Sequence, residues 1–267
     1  RSDMDSKYTK IEEKGDILFG ESYTPNLPGG EAYLSATASV LRNSRGEIIA
    51  AIECIRDTTD RRALEKEHQH TLERMRKTLG NTVQAIVALV EARDPYTAGH
   101  QRHVADIART IANEMGLSKE RIDGLRVAST MHDIGKICVP SEILTMPRKL
   151  SSLELNIIRS HALSGYNILK DIDFPWPIAR IVLEHHERIG GTGYPNGTSG
   201  EDLLLESRIL AVADVVEAMA TDRPYRPSLG LNAALDEITK NKGTLYDPSV
   251  VDACLRIFNE HGYRIKH

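Results

Sequence analysis

The sequence is poor in the residues that mark disulfide-rich, membrane-spanning or strongly basic proteins. Its 267 residues include three scattered cysteines, Cys54, Cys138 and Cys254, without a CxxC pair. This usage is typical of a reducing compartment and argues against a disulfide framework. No apolar run approaches the ~18 residues of a membrane span, and no signal peptide is visible. The net charge of −4 provides no general attraction to nucleic acid, so we expect no DNA binding.

The composition that remains is that of an ordinary globular protein. Hydrophobic residues make up 40% of the chain and charged residues 27%, and we expect a cytoplasmic protein of the mainly α class. The chain begins at Arg1 without an initiator methionine, so we expect it to belong to a longer protein.

Residues 31–56 have the pattern of a β-hairpin. In "EAYLSATASVL" apolar and polar residues alternate, "RNSRGE" is a turn, and "EIIAAIECI" continues with apolar residues on both faces. Period-two alternation on either side of an Asn/Ser/Gly turn predicts two strands. Because two or three strands alone are marginally stable, we expect them to be part of a domain, which we bound at residues 1–60.

A proline-free stretch of high helix propensity follows, and we expect a linking helix over residues 61–90. Its apolar residues recur at alternating three- and four-residue steps, as in a coiled-coil seam. This spacing indicates a homodimer through the helix, and one amphipathic helix packed on its own domain is the alternative. The seam consists of Leu72, Met75, Leu79, Thr82, Ile86 and Leu89.

Residues 91–267 are expected to form a helical domain. Asp94-Pro95 can begin a helix, Ser151 and Glu154 form a capping box, and Pro175 and Pro177 open another helix. Glycine, proline and asparagine make residues 190–200 a loop.

Histidines are concentrated in this helical region, where several fall on apolar stripes. A single histidine on an apolar face is usually a hydrogen-bonded core residue, and a buried ionised carboxylate is costly unless it is paired or metal-bound. Several inward histidines together with two aspartates are difficult to stabilise without cations. The series consists of His100, His132, Asp133, His161, His185, His186 and Asp214.

The stretch "MHDIGKI", residues 131–137, is the most informative part of the series. His132 offers one lone pair, whereas the two oxygens of Asp133 can bridge two metals about 3.5–4 Å apart, as in two-metal hydrolytic sites. Lys136 lies one helical turn further and can reach a phosphate held there. The alternative is an ordinary helix end, with Gly135 as terminator and Lys136 near the negative end of the helix dipole.

This series resembles the HD superfamily of metal-dependent phosphohydrolases, and "HHERIGGTGYP" with "DRPYR" (222–226) narrows the resemblance to the HD-GYP subfamily. It covers roughly residues 83–258. The resemblance implies an all-helical HD-domain bundle and a cyclic-di-GMP phosphodiesterase. It also implies a two- or three-metal centre, filled by iron or manganese, and products pGpG and GMP.

Carried over by residue, the resemblance implies two metal positions that share Asp133. The first is held by His100, His132, Asp133 and Asp214. The second is held by Asp133, His161, His185 and His186. Some members bind a third metal through a glutamate one turn before the first histidine. Tyr96 stands at that position, and a phenol with a pKa near 10 is a poor ligand, so we predict two divalent metal ions.

Catalytic and substrate-binding roles follow from the same motifs. We expect Asp133 and Lys136 to be catalytic, with the lysine stabilising charge on the phosphate. The substrate contacts are expected from Gly193, Tyr194, Pro195, Arg223 and Arg226. Turn packing is the alternative for Tyr194-Pro195, and a solvated pair at a helix end is the alternative for the two arginines.

Three positions depart from the subfamily pattern. Gly190 stands where the loop usually has aspartate, Glu217 where aspartate is common, and His103 where arginine is frequent. The metal ligands and Lys136 are intact, so we expect phosphodiester hydrolysis to be retained. The three departures bear instead on the geometry of the loop and on substrate affinity.

The segment "GEIIAAIECIRDTTDRRALEKE" resembles the final strand and exit of a PAS sensor domain. The β segment is therefore interpreted as part of a PAS domain, with a generic hairpin as the alternative. A sensor joined by a helix to an output domain indicates signalling-protein partners. Two alternatives to the cyclic-di-GMP phosphodiesterase remain: a hydrolase of another cyclic dinucleotide, and a catalytically weak cyclic-di-GMP receptor.

Overall fold

The computed structural model describes residues 10–27, 30–93, 99–146, 148–221 and 228–265. The chain divides into two compact units between residues 80 and 81. The first unit contains a β-sheet and the beginning of a long helix, and the second is built mainly from helices. Every helix in the described ranges is too short or too polar to span a bilayer.

The first unit holds a four-stranded antiparallel sheet in which each strand pairs with the next along the chain. Its strands are β1 (Lys10–Lys14), β2 (Ile17–Leu27), β3 (Gly30–Arg42) and β4 (Ile48–Asp57). Pairing of β3 with β4 confirms the predicted hairpin. Asn43 shapes its turn, because its side-chain oxygen accepts hydrogen bonds from the backbone N–H groups of Arg45 and Glu47, at 2.9 and 3.0 Å.

Strands β1 and β2 extend the sheet beyond what the sequence pattern indicates. Gly20 and Pro25 lie within β2, and both residue types weaken a strand pattern. Pairing with β3, from Ile17 opposite Ser39 to Thr24 opposite Ala32, holds this segment extended in spite of its composition.

A single long helix, α1 (Thr59–Arg93), confirms the helix predicted after the hairpin. Asp57 starts it by accepting a hydrogen bond from the backbone N–H of Thr59 at 2.9 Å. The predicted seam is not uniform along this helix. Leu72, Met75, Leu79 and Leu89 are exposed, whereas Ile86 packs against the core of the second unit together with Val83 and Val90. The final turns of α1 therefore pack within the helical unit, which corrects the seam at Ile86.

The second unit continues with nine further helices among the residues that the structure describes. They are α2 (His100–Glu114), α3 (Lys119–Met131), α4 (Ser141–Leu144), α5 (Ser152–Arg159), α6 (His161–Leu169), α7 (Ile178–Glu184), α8 (Leu205–Ala220), α9 (Leu231–Lys240) and α10 (Pro248–Asn259). Short 3₁₀ helices span Ile134–Cys138 and Gly200–Asp202.

Apolar stripes of these helices meet in one core. Ile107 of α2, Leu125 of α3, Ile181 of α7 and Leu210 of α8 are almost completely buried. The stripes follow the three- and four-residue spacing of an amphipathic helix, which directs one face inward. This core holds in place the helix ends that carry the histidine series.

Several predicted helix boundaries agree with the structure. Ser151 and Glu154 form the expected capping box at the start of α5, and α7 begins directly after Pro177. The predicted start at Asp94-Pro95 lies outside the described residues, and α2 begins at His100. Residues 190–199 form the expected loop, and the peptide bond between Tyr194 and Pro195 is cis.

Candidate metal centre

The segment that carries His132 and Asp133 lies between two helical elements. Helix α3 ends at Met131, His132 caps it, and Asp133 precedes the 3₁₀ helix. This segment lies directly against the start of α6. A Cβ atom added to Gly135 would be 1.9 Å from the carbonyl oxygen of His161. Only glycine allows this approach, which brings His132 and Asp133 close to His161.

Three histidines of the series share one local arrangement. Each ring donates its Nδ1–H to the backbone carbonyl three residues earlier: His132 to Ser129 at 2.7 Å, His161 to Ile158 at 2.6 Å and His185 to Val182 at 2.5 Å. A hydrogen bond at Nδ1 fixes the tautomer and the ring orientation, so that Nε2 presents its lone pair. All three rings are almost completely buried.

His161, His185 and His186 form the first group of potential ligands, whose donor atoms all lie within 4.8 Å of one another. The Nε2 atoms of His161 and His185 are 3.3 Å apart. Neither can donate to the other, because each ring hydrogen is already committed at Nδ1. Burial lowers the pKa of all three, that of His186 to about 3, so the rings are neutral. Two facing lone pairs in a buried site suit a bound cation.

His185 and His186 occupy this group because α7 ends at Glu184. Successive residues inside a helix diverge by about 100°, which would separate the two rings. Just beyond the helix end their ring centroids are 4.0 Å apart. The adjacent histidines therefore face one position.

The second group consists of His100, His132 and Asp214. Nε2 of His100 is 3.1 Å from Oδ1 of Asp214, and Nε2 of His132 is 4.0 Å from the same oxygen. Asp214 lies in the middle of α8, on the side that meets α2. Burial raises the pKa of the Asp214 carboxyl, but the hydrogen bond from His100 and the surrounding imidazoles outweigh burial and hold it well below its usual range.

Asp133 lies between the two groups. Its Oδ2 is 3.5 Å from Nε2 of His132, and its Oδ1 is 3.6 Å from Nε2 of His161. The ammonium of Lys136 is 2.8 Å from Oδ2. Burial raises the pKa of the Asp133 carboxyl, but nearby charges, that of Lys136 foremost, keep it well below its usual range. The carboxylate is therefore ionised and offers one oxygen to each group.

Glu217 also belongs to the centre, although in the sequence it stands out only as a departure from the subfamily pattern. Its Oε2 is hydrogen-bonded to Nδ1 of His100, and its Oε1 is 3.3 Å from Nδ1 of His103. Burial lowers the pKa of His100, but the hydrogen bonds to Asp214 and Glu217 outweigh burial and raise it to about 9. Its position three residues after Asp214, on one face of α8, is the sequence signal that could have identified it.

The glycine-rich loop brings Tyr194 onto the first group. The Tyr194 ring lies 4.8 Å from that of His186 at an interplanar angle of 32°, and 6.5 Å from that of His161. Burial raises the pKa of the phenol above its usual value, so Tyr194 stays protonated. A Cβ atom added to Gly193 would be 2.4 Å from Cα of Glu187, so the loop requires glycine there. Pro195 is exposed.

Close packing explains why position 190 is glycine in this chain. Its backbone N–H donates to the carbonyl oxygen of Thr244 at 3.0 Å, and an added Cβ atom would lie 2.7 Å from that oxygen. The loop thus packs directly against the turn that follows α9, and aspartate does not fit without a shift.

Of the thirteen predicted site residues, eleven fall within the described residues and two do not. The seven residues of the metal series converge, with Lys136, Gly193 and Tyr194 beside them. Arg223, Arg226 and Tyr96 lie outside the described residues. The geometry thus defines a class: a helical protein whose helix ends gather five imidazoles and two carboxylates into a site suited to divalent cations.

Comparison with known proteins agrees with this class. Residues 84–250 match the HD domain family, so the chain belongs to that family, and the resemblance of the histidine series to HD phosphohydrolases is confirmed. The chain is 40% identical over 186 residues to "Cyclic di-GMP phosphodiesterase response regulator RpfG" of Xanthomonas campestris pv. campestris (strain 8004), covering 69% of this chain and 48% of that protein.

Two further relatives are named for different substrates. A "Cyclic di-GMP phosphodiesterase" of Thermotoga maritima is 36% identical over 199 residues, covering 74% of this chain and 54% of the relative. "3'3'-cGAMP-specific phosphodiesterase 3" of Vibrio cholerae is 36% identical over 177 residues, covering 66% and 38%. The chain therefore spans about half or less of the length of these relatives.

A solved structure shares the fold. The protein Bd1817 from Bdellovibrio bacteriovorus, described as an HDG"Y"P protein, superposes with a TM-score of 0.50 at 18% identity, covering 60% of this chain and 51% of that one.

Proposed function

We propose that this chain is a metal-dependent phosphodiesterase that hydrolyses cyclic-di-GMP to pGpG, GMP or both. The observation that carries the proposal is the position of Asp133, with one carboxylate oxygen toward each histidine group. Relatives named as phosphodiesterases of cyclic-di-GMP support the substrate class.

Two divalent ions, iron or manganese, are proposed as cofactors. One position is assigned to His100, His132, Asp133 and Asp214, and the other to Asp133, His161, His185 and His186. When bound, such ions lower the pKa of water and stabilise charge on phosphoryl oxygens. Iron and manganese both accept imidazole and carboxylate ligands, so the ligand types do not distinguish them. The choice of these two metals therefore rests on the resemblance to HD-GYP proteins.

The remaining residues of the site bind and orient the phosphodiester. Lys136 is only partly buried and is held by Asp133, so its ammonium is positioned to neutralise a phosphate oxygen in the transition state. Tyr194 covers the His186 side with a neutral ring, which suits stacking against a base. Gly193 allows the backbone to approach the ligand, and Pro195 with Arg223 and Arg226 is assigned to the surrounding substrate contacts.

A different cyclic dinucleotide is the second candidate substrate. Its basis is the similarity to the 3'3'-cGAMP-specific phosphodiesterase of Vibrio cholerae. A third candidate is a receptor that binds cyclic-di-GMP without cutting it. The reason to consider it is Gly190, which replaces the usual aspartate of the substrate loop.

The first unit is proposed as part of a signalling input to this enzyme. We assign the sheet and α1 to a PAS-derived segment and a dimerising helix, on the sequence resemblance and on the exposed Leu72, Met75 and Leu79. We place the protein in the cytoplasm, where signalling partners and the cyclic dinucleotide are accessible. Sedimentation of the chain at several concentrations tests the homodimer.

The test of the proposed function combines metal content with turnover. The protein is purified without oxygen, its metals are counted, and it is incubated with cyclic-di-GMP or 3'3'-cGAMP while products are followed by chromatography. Two metals per chain and appearance of pGpG or GMP are expected. Metals with both nucleotides intact would refute the phosphodiesterase and favour the receptor.

The variant Asp133→Asn tests the ligand assignment in the same assays. Because one carboxylate serves both positions, its loss should remove both metals and the activity. Asp171→Asn, which changes an exposed aspartate two residues after α6, is the matched control. Two retained metals and normal turnover in Asp133→Asn would disprove the shared position.

A further inference from the structure

Helix α5 ends at Arg159, two residues before His161 begins α6. The Cζ atom of the Arg159 guanidinium is 5.3 Å from the centroid of the Tyr194 ring. The same ring lies 4.8 Å from that of His186. Arg159, Tyr194 and the potential metal ligand His186 thus follow one another in space, from the surface toward the metal centre.

The surroundings of the Arg159 guanidinium differ from those of several other arginines. Arg148, Arg180 and Arg208 each hold a carboxylate within 2.7 Å. Arg159 is exposed, and within the described ranges no carboxylate oxygen lies within 4.0 Å of it. Contact with the ring face leaves the N–H donors at the edge of the guanidinium plane available.

A cyclic dinucleotide brings two phosphodiester groups to the site. One must reach the metal centre to be cut, and the other then lies in a different part of the pocket. That second group is anionic, and a planar guanidinium with free N–H donors binds phosphate through paired hydrogen bonds. Tyr194 contacts both Arg159 and the His186 ring, and so connects the arginine to the metal centre.

We propose that Arg159 binds the phosphate that is not cut, and that it thereby selects cyclic dinucleotides over simpler phosphodiesters. This inference rests on the proposed phosphodiesterase function. Contact with Tyr194 restricts the arginine side chain to the Tyr194 side of the metal centre. Lysine would keep the charge but lose the planar arrangement of donors, so it should replace arginine only in part.

The test compares two substrates that differ in their number of phosphates. Cyclic-di-GMP has two, whereas bis(p-nitrophenyl) phosphate has one and lacks bases. In Arg159→Ala, KM for cyclic-di-GMP should rise by about 10- to 100-fold with little change in kcat, as expected when binding shared by ground state and transition state is lost. kcat/KM for bis(p-nitrophenyl) phosphate and the metal content should not change.

Two further variants complete the experiment. Arg159→Lys should give an intermediate KM for cyclic-di-GMP, and Arg109→Ala, an exposed arginine of α2 paired with Asp106, should match the wild type. An unchanged KM in Arg159→Ala, or equal losses with both substrates, would overturn the inference. Failure of the wild type to cut cyclic-di-GMP while it cuts bis(p-nitrophenyl) phosphate would instead overturn the proposed substrate, so the two failures are distinguishable.

Discussion

His100 is held between two carboxylates, with Nδ1 bonded to Glu217 and Nε2 3.1 Å from Asp214. Glu217 is buried and also approaches His103. A carboxylate behind an imidazole fixes its orientation and increases its basicity as a ligand. Glu217 therefore positions His100 for a cation without itself belonging to the two ligand groups.

Glu217→Gln should weaken metal binding while the fold is retained. The amide keeps the size of the side chain but removes the charge that holds His100 and His103. We expect metal affinity to fall about 10- to 100-fold, measured by competition with a chelating indicator. Glu201→Gln, at an exposed position, serves as control. Equal affinities in Glu217→Gln and wild type would show that the glutamate has no positioning role.

Lys136→Met should separate rate from metal binding. Its ammonium pairs with Asp133 but is not a metal ligand, so both metals should remain when it is removed. The loss of charge stabilisation at the phosphate should reduce kcat by about 10²-fold or more. Steady-state kinetics and metal analysis of the same sample test this, with Lys170→Met, at an exposed position, for comparison. Metal loss in Lys136→Met would assign the lysine to support of the metal site instead.

Gly193→Ala should destabilise the loop because the added methyl group would overlap the backbone of Glu187. Overpacking of this kind costs about 1–3 kcal/mol, and we expect a lower Tm and a higher KM for cyclic dinucleotide. Gly80→Ala makes the same chemical change within α1, where no atom lies within 4 Å of the new methyl group. That control should leave KM unchanged. A wild-type Tm and KM in Gly193→Ala would mean that the loop adapts freely.

The metal-free protein should lose stability in acid. The pKa values of His161, His185 and His186 are lowered in the folded state, that of His186 to about 3, against about 6.5 when unfolded. Below pH ~6.5 the unfolded state binds more protons than the folded state. The stability that these three histidines contribute is therefore present above that pH and is lost as the pH falls toward 3. His100, with its pKa raised to about 9, contributes stability below pH ~6.5 that is lost as pH rises through 9.

Thermal melts after chelation, at pH 5, 6 and 7, measure this dependence. Tm should fall by several degrees between pH 7 and pH 5, and His186→Asn should reduce the slope because one titrating group is removed. His70→Asn, an exposed histidine of α1, should keep the full slope. A Tm that does not change with pH would contradict burial of neutral imidazoles.

Local features of the fold and site were predictable from the sequence. The β3–β4 hairpin, helix α1 and the capping box of α5 depend on neighbours within a few residues, and the structure has all three. The pairing of His132 with Asp133 was equally predictable, because adjacent residues at a helix end stay together in any fold. Strands β1 and β2 were not, because long-range pairing with β3 overrides Gly20 and Pro25.

The sequence by itself determined which side chains are available: imidazoles on apolar stripes, two aspartates among them and a glycine-rich loop beside an adjacent histidine pair. Only the tertiary structure decided which of them meet. Glu217 reaches His100 across 117 positions, and Arg159, at the end of α5, reaches Tyr194 in the glycine-rich loop. Such contacts depend on how helices pack through a shared core, and the periodicity of one helix specifies its buried face but not the residue opposite it.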